Sequence, residues 1–350
     1  MTAWFDHRIP WSSFTPPRTY MSIRSLITAP LAVLALAAAA PALAANAGFT
    51  VVQVPDPQGA PITVGIWYPT DAPIKPMALG IADQVTAPGA PLVGDHLPLV
   101  VMSHGNGGFF GGHADTAQAL AEAGFVVAAL THTGDNYADQ SRATDMPNRP
   151  RQVSVLISYM LAVSPMHAAI DPERVGAFGF SSGGFTVLVA AGGEPDMTTL
   201  APHCRAHPDF YDCKLAAAHP LPVNAGKAVW DHDARIKAVV AAAPAIGYSF
   251  GTAGLSKVTM PVQLWRAGDD QILPDPFYAS AVRAALPHAP DYQVVEGAGH
   301  FDFLTPCNAM GRTTAAAICA SASGFDRAAF HKDFDAKVVG FFKVNLMAKP

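Results

Sequence analysis

The chain is poor in charge: Asp, Glu, Lys and Arg make up only 14% of its 350 residues. It has no basic run and no Gly-rich phosphate loop, and its formal net charge is −5, all of which argue against nucleic-acid binding. Internal repeats and low-complexity tracts are missing too. Beyond residue 44, no apolar stretch is long and uninterrupted enough to span a bilayer. No thiol pair with the spacing of a zinc module occurs among the four cysteines. What is present is half hydrophobic, with 29 Gly and 31 Pro. That composition suits a compact enzyme with many strand–helix connections.

The N-terminus carries export information. Met21-Ser-Ile-Arg24 is a short basic start, Leu26 to Ala40 is an apolar run, and Pro41-Ala-Leu-Ala44 is an A-x-A-type cleavage site. A secretory signal peptide is expected over 21–44, with residues 1–20 an upstream mis-start ahead of Met21. The rival is an N-terminal membrane anchor, but the run is short and ends at Pro41 and small residues. Cleavage leaves 350 − 44 = 306 residues, enough for a single α/β domain over 45–350, and directs the protein to the periplasm or the cell exterior. In an oxidising compartment Cys204, Cys213, Cys307 and Cys319 suit two disulfides. Three connectivities are possible, with the local pairs Cys204–Cys213 and Cys307–Cys319 favoured by proximity. The competing reading is a metal site from His203, Cys204, His207 and Cys213, which the spacing does not favour. No cofactor and no metal is expected.

Two strands around Asp56-Pro-Gln-Gly59 predict an opening hairpin, followed by a Pro-rich connection over 70–96. Apolar strand runs then alternate with helical patterns to the C-terminus. This predicts an α/β fold with a mostly parallel central sheet and helices on both faces. An interruption at about 193–234, with Pro, His and two cysteines, sits where a cap could be inserted over a site. Its Phe210, Tyr211, Leu215 and Trp230 could line an acyl pocket or form a small core of their own.

The chemistry concentrates in Gly179-Phe-Ser-Ser-Gly183, between the apolar run Val175–Phe178 and a helix-compatible run. This is the G-x-S-x-G elbow, which lifts a serine from a sharp strand-to-helix turn; a plain helix N-cap is the bland reading of Ser181. Downstream, a strand ends at Gly268-Asp-Asp-Gln-Ile-Leu-Pro274, and another ends at Gly297-Ala-Gly-His300. Ser181, then Asp270 with Asp269 as the alternative acid, then His300, all lie past strand ends, where open α/β sheets place their ligands. The N–H of Ser182 and Asn106 in the loop His104-Gly-Asn-Gly-Gly108 are the candidate oxyanion hole. His104 reads as a loop brace and His132 as a pocket wall or core residue.

Through Val100-Val-Met-Ser-His-Gly-Asn-Gly107, the elbow, Gly268–Pro274 and Gly297–His300, the chain resembles the α/β-hydrolase superfamily. It is nearest the dienelactone-hydrolase-like group that includes bacterial relatives of platelet-activating-factor acetylhydrolase. Dienelactone hydrolases proper use a cysteine where this chain has Ser181, so dienelactone is not the expected substrate. The resemblance implies a carboxylic-ester hydrolase acting on a small or lipid-like ester through an acyl-enzyme. A serine peptidase or acyltransferase on the same triad is the alternative, and a non-catalytic binding protein a third. The expected partner is a small-molecule ester, with no nucleic acid and no membrane span after signal cleavage.

Overall fold

The computed structural model describes residues 46–219 and 228–347. The expected mis-start over 1–20, the signal peptide over 21–44 and residues 220–227 of the expected insertion lie outside the described residues.

Asn46–Val54 (β1) and Ile62–Thr70 (β2) pair antiparallel. Their turn is locked by Asp56, whose carboxylate accepts the Gln58 N–H at 3.0 Å and both ends of the Arg151 guanidinium at 2.6 Å. Hydrogen bonding to that guanidinium holds the Asp56 carboxyl below its usual range. The predicted connection over 70–96 contains a second hairpin, Lys75–Leu79 (β3) and Ala82–Pro88 (β4). Its second strand alternates in burial, with Ala82, Gln84 and Thr86 buried and Asp83 and Val85 exposed. Because Gln84 and Thr86 are polar and Val85 is apolar, that alternation in burial is not an alternation in hydropathy, and the sequence did not show it.

The remaining elements alternate: Leu97–Ser103 (β5), Ala114–Glu122 (α1), Val126–Thr131 (β6), Asn148–Ala162 (α2), Ile170–Phe180 (β7) and Ser182–Ala190 (α3). Leu200–Ala206 (α4) and Tyr211–Ala218 (α5) interrupt before Ile236–Ala242 (β8) and Val262–Ala267 (β9). Ala279–Ala285 (α6), Asp291–Val295 (β10), Ala309–Thr314 (α7), Ala316–Cys319 (α8) and Arg327–Leu346 (α9) complete the described chain. The strand order is β10-β9-β8-β7-β5-β6-β2-β1-β4-β3, parallel from β10 through β6. β2 joins β6 antiparallel.

Strand alternation sorts the core onto two faces. Leu99 and Val101 of β5 point to the face covered by α2, α3 and α6, and Val100 and Met102 to the face covered by α1 and α9. On the second face α9 contributes Phe330, Phe334, Val338, Phe342 and Leu346, a spacing of four that keeps them on one side of the helix. Each such fully buried side chain contributes roughly 1.5–3 kcal/mol. From β5 the chain steps to β6 on one side and then returns to β7 on the other. The carboxyl ends of β5 and β7 therefore flank the reversal of strand order, which is where such sheets open a crevice.

Candidate active site

Ser181 follows β7 at φ 55° and ψ −120°, a conformation that costs a non-glycine residue on the order of 1–3 kcal/mol. The backbone on both sides holds it there. Its N–H donates to the Ala242 carbonyl at 2.9 Å, and its carbonyl accepts from Phe185 at 3.1 Å and Ala245 at 3.0 Å. A Cβ on Gly179 would lie 2.0 Å from the Gly183 oxygen, and one on Gly183 would lie 1.9 Å from the Ser103 oxygen. No side chain fits at either position. Ser181 occupies the N-cap position of α3, yet its side chain makes no capping hydrogen bond. As the first residue of α3, Ser182 has an N–H without an intrahelical carbonyl.

Past β9, the Asp270 carboxylate accepts the Ile272 and Leu273 N–H groups at 2.9 and 2.8 Å on one oxygen. Its other oxygen lies 2.8 Å from His300 Nδ1, with both side chains buried. This fixes the ring so that Nε2 is the nitrogen left for another partner. Asp269 is exposed, and its N–H donates to the Ala298 carbonyl at 2.9 Å. The Phe180 ring lies 4.8 Å from the His300 ring, which brings the imidazole beside the residue preceding Ser181.

The loop after β5 is braced from beneath. His132 donates its backbone N–H to His104 Nε2 at 2.9 Å, so His104 Nδ1 carries the proton that meets the Gly105 carbonyl at 2.6 Å. Burial, with the nearby Arg149 charge, lowers His104 to about 4, so it is neutral. His132 lies between Ser103 and Gln152 at 2.8 Å each and is also held neutral, mainly by burial. Both histidines are core braces. Asn106 is more constrained than the sequence suggested. Its Nδ2 donates to Asp135 at 2.7 Å and its Oδ1 accepts the Tyr211 hydroxyl at 2.6 Å, while the Gly107 N–H reaches the same Asp135 oxygen at 2.9 Å. The buried Arg149 guanidinium pairs with Asp135, donates to the His104 carbonyl and reaches Thr186 Oγ1 at 3.0 Å. Sequence reasoning missed Asp135 and Arg149. Their only signal was charge at helix-start and strand-end positions, and that does not reveal a buried pair.

The insertion forms one wall of an apolar cleft that contains Ser181 and Ser182. Met197, Leu200, Tyr211 and Leu215 face Met146, Ile246 and Leu273 across a cavity of about 30 Å³, room for two or three water-sized groups. Of the four residues singled out in the insertion, Tyr211 and Leu215 line the cleft. Phe210 stacks on His207 at 4.6 Å, and Trp230 meets Phe185 edge-on at 5.8 Å. Asp212 accepts the hydroxyls of Tyr248 at 2.8 Å and Tyr278 at 2.9 Å, pinning α5 to the domain beneath it. Cys204 bridges Cys213 with Cα atoms 5.2 Å apart, and Cys307 bridges Cys319 at 5.7 Å. The first bridge leaves neither sulfur as a thiolate, which removes the metal reading built on His203, Cys204, His207 and Cys213.

The family model described as platelet-activating factor acetylhydrolase, isoform II, matches residues 81–153. That segment runs from β4 into α2 and contains the His104–Gly108 loop, but not Ser181, Asp270 or His300. No curated protein matches significantly. Among solved structures, one described as ferulic acid esterase from Streptomyces cinnamoneus is similar at a TM-score of 0.57 and 18% identity, covering 89% of this chain and 93% of that one. The fold is that of the α/β-hydrolases, with a segment similar to the acetylhydrolase group.

Proposed function

We propose that this α/β-hydrolase chain is an exported serine esterase that cleaves short-acyl carboxylic esters through an acyl-enzyme. The observation that carries the reading is the conjunction at one crevice of a serine on a strained elbow and a buried His300 oriented by Asp270. Ser181 Oγ attacks the ester carbonyl as His300 Nε2 takes its proton. Asp270 holds the imidazole tautomer and stabilises the imidazolium. The N–H groups of Ser182 and Asn106 hold the oxyanion, each contributing about 3–4 kcal/mol to lowering the barrier. His300 then returns the proton to the alcohol, and water attacks the acyl-enzyme.

The narrow apolar cleft beside Ser181 favours an acyl group of a few carbons. Two disulfides support an oxidising, exported location. The test is hydrolysis of p-nitrophenyl esters from acetate to palmitate. Wild type is expected to be fastest on the shortest chains, and Ser181→Ala to lose at least about 10⁴-fold in kcat. Activity retained in Ser181→Ala would sink the acyl-enzyme mechanism. A preference for long chains would sink the acyl assignment.

A further inference from the structure

Arg149 is buried beneath the crevice, and the arms of its guanidinium end on different elements. Nη1 pairs with Asp135 Oδ2, Nη2 donates to the His104 carbonyl, and Nε donates to Thr186 Oγ1 at 3.0 Å. Asp135 follows β6, His104 follows β5, and Thr186 lies in α3. We propose, resting on the esterase reading and deepening it, that Arg149 is the positioning residue of the oxyanion hole. It sets the loop that carries the Asn106 N–H against the helix that carries the Ser182 N–H.

The links run to both proposed donors. On the loop side, Asp135 Oδ1 accepts Asn106 Nδ2 at 2.7 Å and the Gly107 N–H at 2.9 Å. The carboxylate that neutralises Arg149 therefore also holds residues 106 and 107. A Cβ on Gly105 would lie 3.2 Å from the Ser181 Cβ, so this loop passes directly beside the serine. On the helix side, Thr186 donates its own hydroxyl proton to the Ser182 carbonyl, one turn back, at 2.6 Å. The guanidinium also reaches Ser103 Oγ at 3.4 Å, whereas His300 is oriented separately by Asp270.

Stability is a poor account of the pair by itself. The two side chains are 2% and 3% exposed, and desolvating both charges offsets most of what their attraction returns. An apolar pair of similar volume often serves a fold as well. It could not bond three elements at the fixed angles of a planar fork. Asp135 cancels the guanidinium charge, so the pair acts on the oxyanion by placing its donors, not as a net cation. Donors placed in advance of the reaction are what such a hole requires.

The experiment compares Arg149→Lys with wild type on p-nitrophenyl acetate and with trifluoromethyl ethyl ketone as inhibitor. Ser181 Oγ adds to the ketone carbon and passes its proton to His300, which leaves a hemiketal oxyanion in the hole. Lysine keeps the charge but loses the fork. We expect kcat to fall about 100-fold with KM within about twofold, and the ketone inhibition constant to rise in proportion. The pH profile set by His300 should keep its midpoint. Arg151→Lys loosens the Asp56 pair on the same helix outside the site, and as the stability control it should keep wild-type kcat. Thr186→Val cuts only the link to Ser182, with about a 10-fold loss in kcat expected and recovery in Thr186→Ser. Wild-type kcat and ketone affinity in Arg149→Lys or in Thr186→Val, or an equal kcat loss in Arg151→Lys, overturns the proposal. A wild type that hydrolyses no ester and does not bind the ketone overturns the esterase reading, and this inference with it.

Discussion

Two disulfide-bridged lobes flank the candidate site, and they are built on opposite physics. The Cys204–Cys213 lobe is aromatic. His203 stacks on Tyr248 at 3.8 Å, His207 on Phe210 at 4.6 Å, and Tyr211 and Leu215 project into the cleft beside Ser181. The Cys307–Cys319 lobe is tied by charge. Arg327 donates at 3.0 Å to the carbonyls of Ile318 and Ala320, and at 3.0 Å to Asp302 Oδ1. Asp302 in turn accepts the Gly299 N–H at 2.8 Å, beside His300. The same covalent device serves two tasks. One lobe lines the cleft beside Ser181, and the other fixes the turn that carries the His300 imidazole.

The comparison breaks most forcefully at Arg327. Arg327→Leu strands the buried Asp302 carboxylate and should destabilise the fold by about 3–5 kcal/mol. The milder Arg327→Lys keeps the charge but loses the fork, so in a folded protein kcat should fall while KM for a short ester holds. A change in KM alone in the Lys variant would contradict the positioning role. The paired cysteine variants come next. Cys204→Ser with Cys213→Ser, and Cys307→Ser with Cys319→Ser, should each lower stability by roughly 2–3 kcal/mol, from loop separations of 9 and 12 residues. Their kinetics should diverge: the first pair raises KM, the second lowers kcat. Identical kinetic profiles would erase the distinction between the lobes. The smallest effect is expected from Tyr211→Phe, which removes the hydroxyl bonded to Asn106. About 1 kcal/mol, read as a several-fold loss in kcat/KM on p-nitrophenyl acetate, is the expected size.

Much of this site could be read directly from residue order. Gly179, Ser181 and Gly183 announce themselves because their requirement is local: a turn in which a Cβ would lie about 2 Å from backbone oxygen admits only glycine. His300 and Asp270 were legible from their positions after apolar strands, and the contact at 2.8 Å joins them. The hairpin of β3 and β4 was missed because the buried positions of β4 include Gln84 and Thr86 while Val85 is exposed, so no apolar two-residue period marks it. The Asp135–Arg149 pair was missed for another reason. A charged residue on a helix is ordinarily solvated, and only packing shows that these two are both 2% exposed.

Sequence alone determined the alternation of strands and helices, the elbow, and the order of serine, acid and histidine, because each is written in neighbouring residues. Tertiary structure decided which carboxylate faces His300, how far Asn106 is held by Tyr211 and Asp135, and that Asp115 meets His331 across 216 residues (331 − 115). Those contacts arise where the sheet reverses its strand order and where α9 returns to lie against α1. Chain topology, not local preference, sets the distances there.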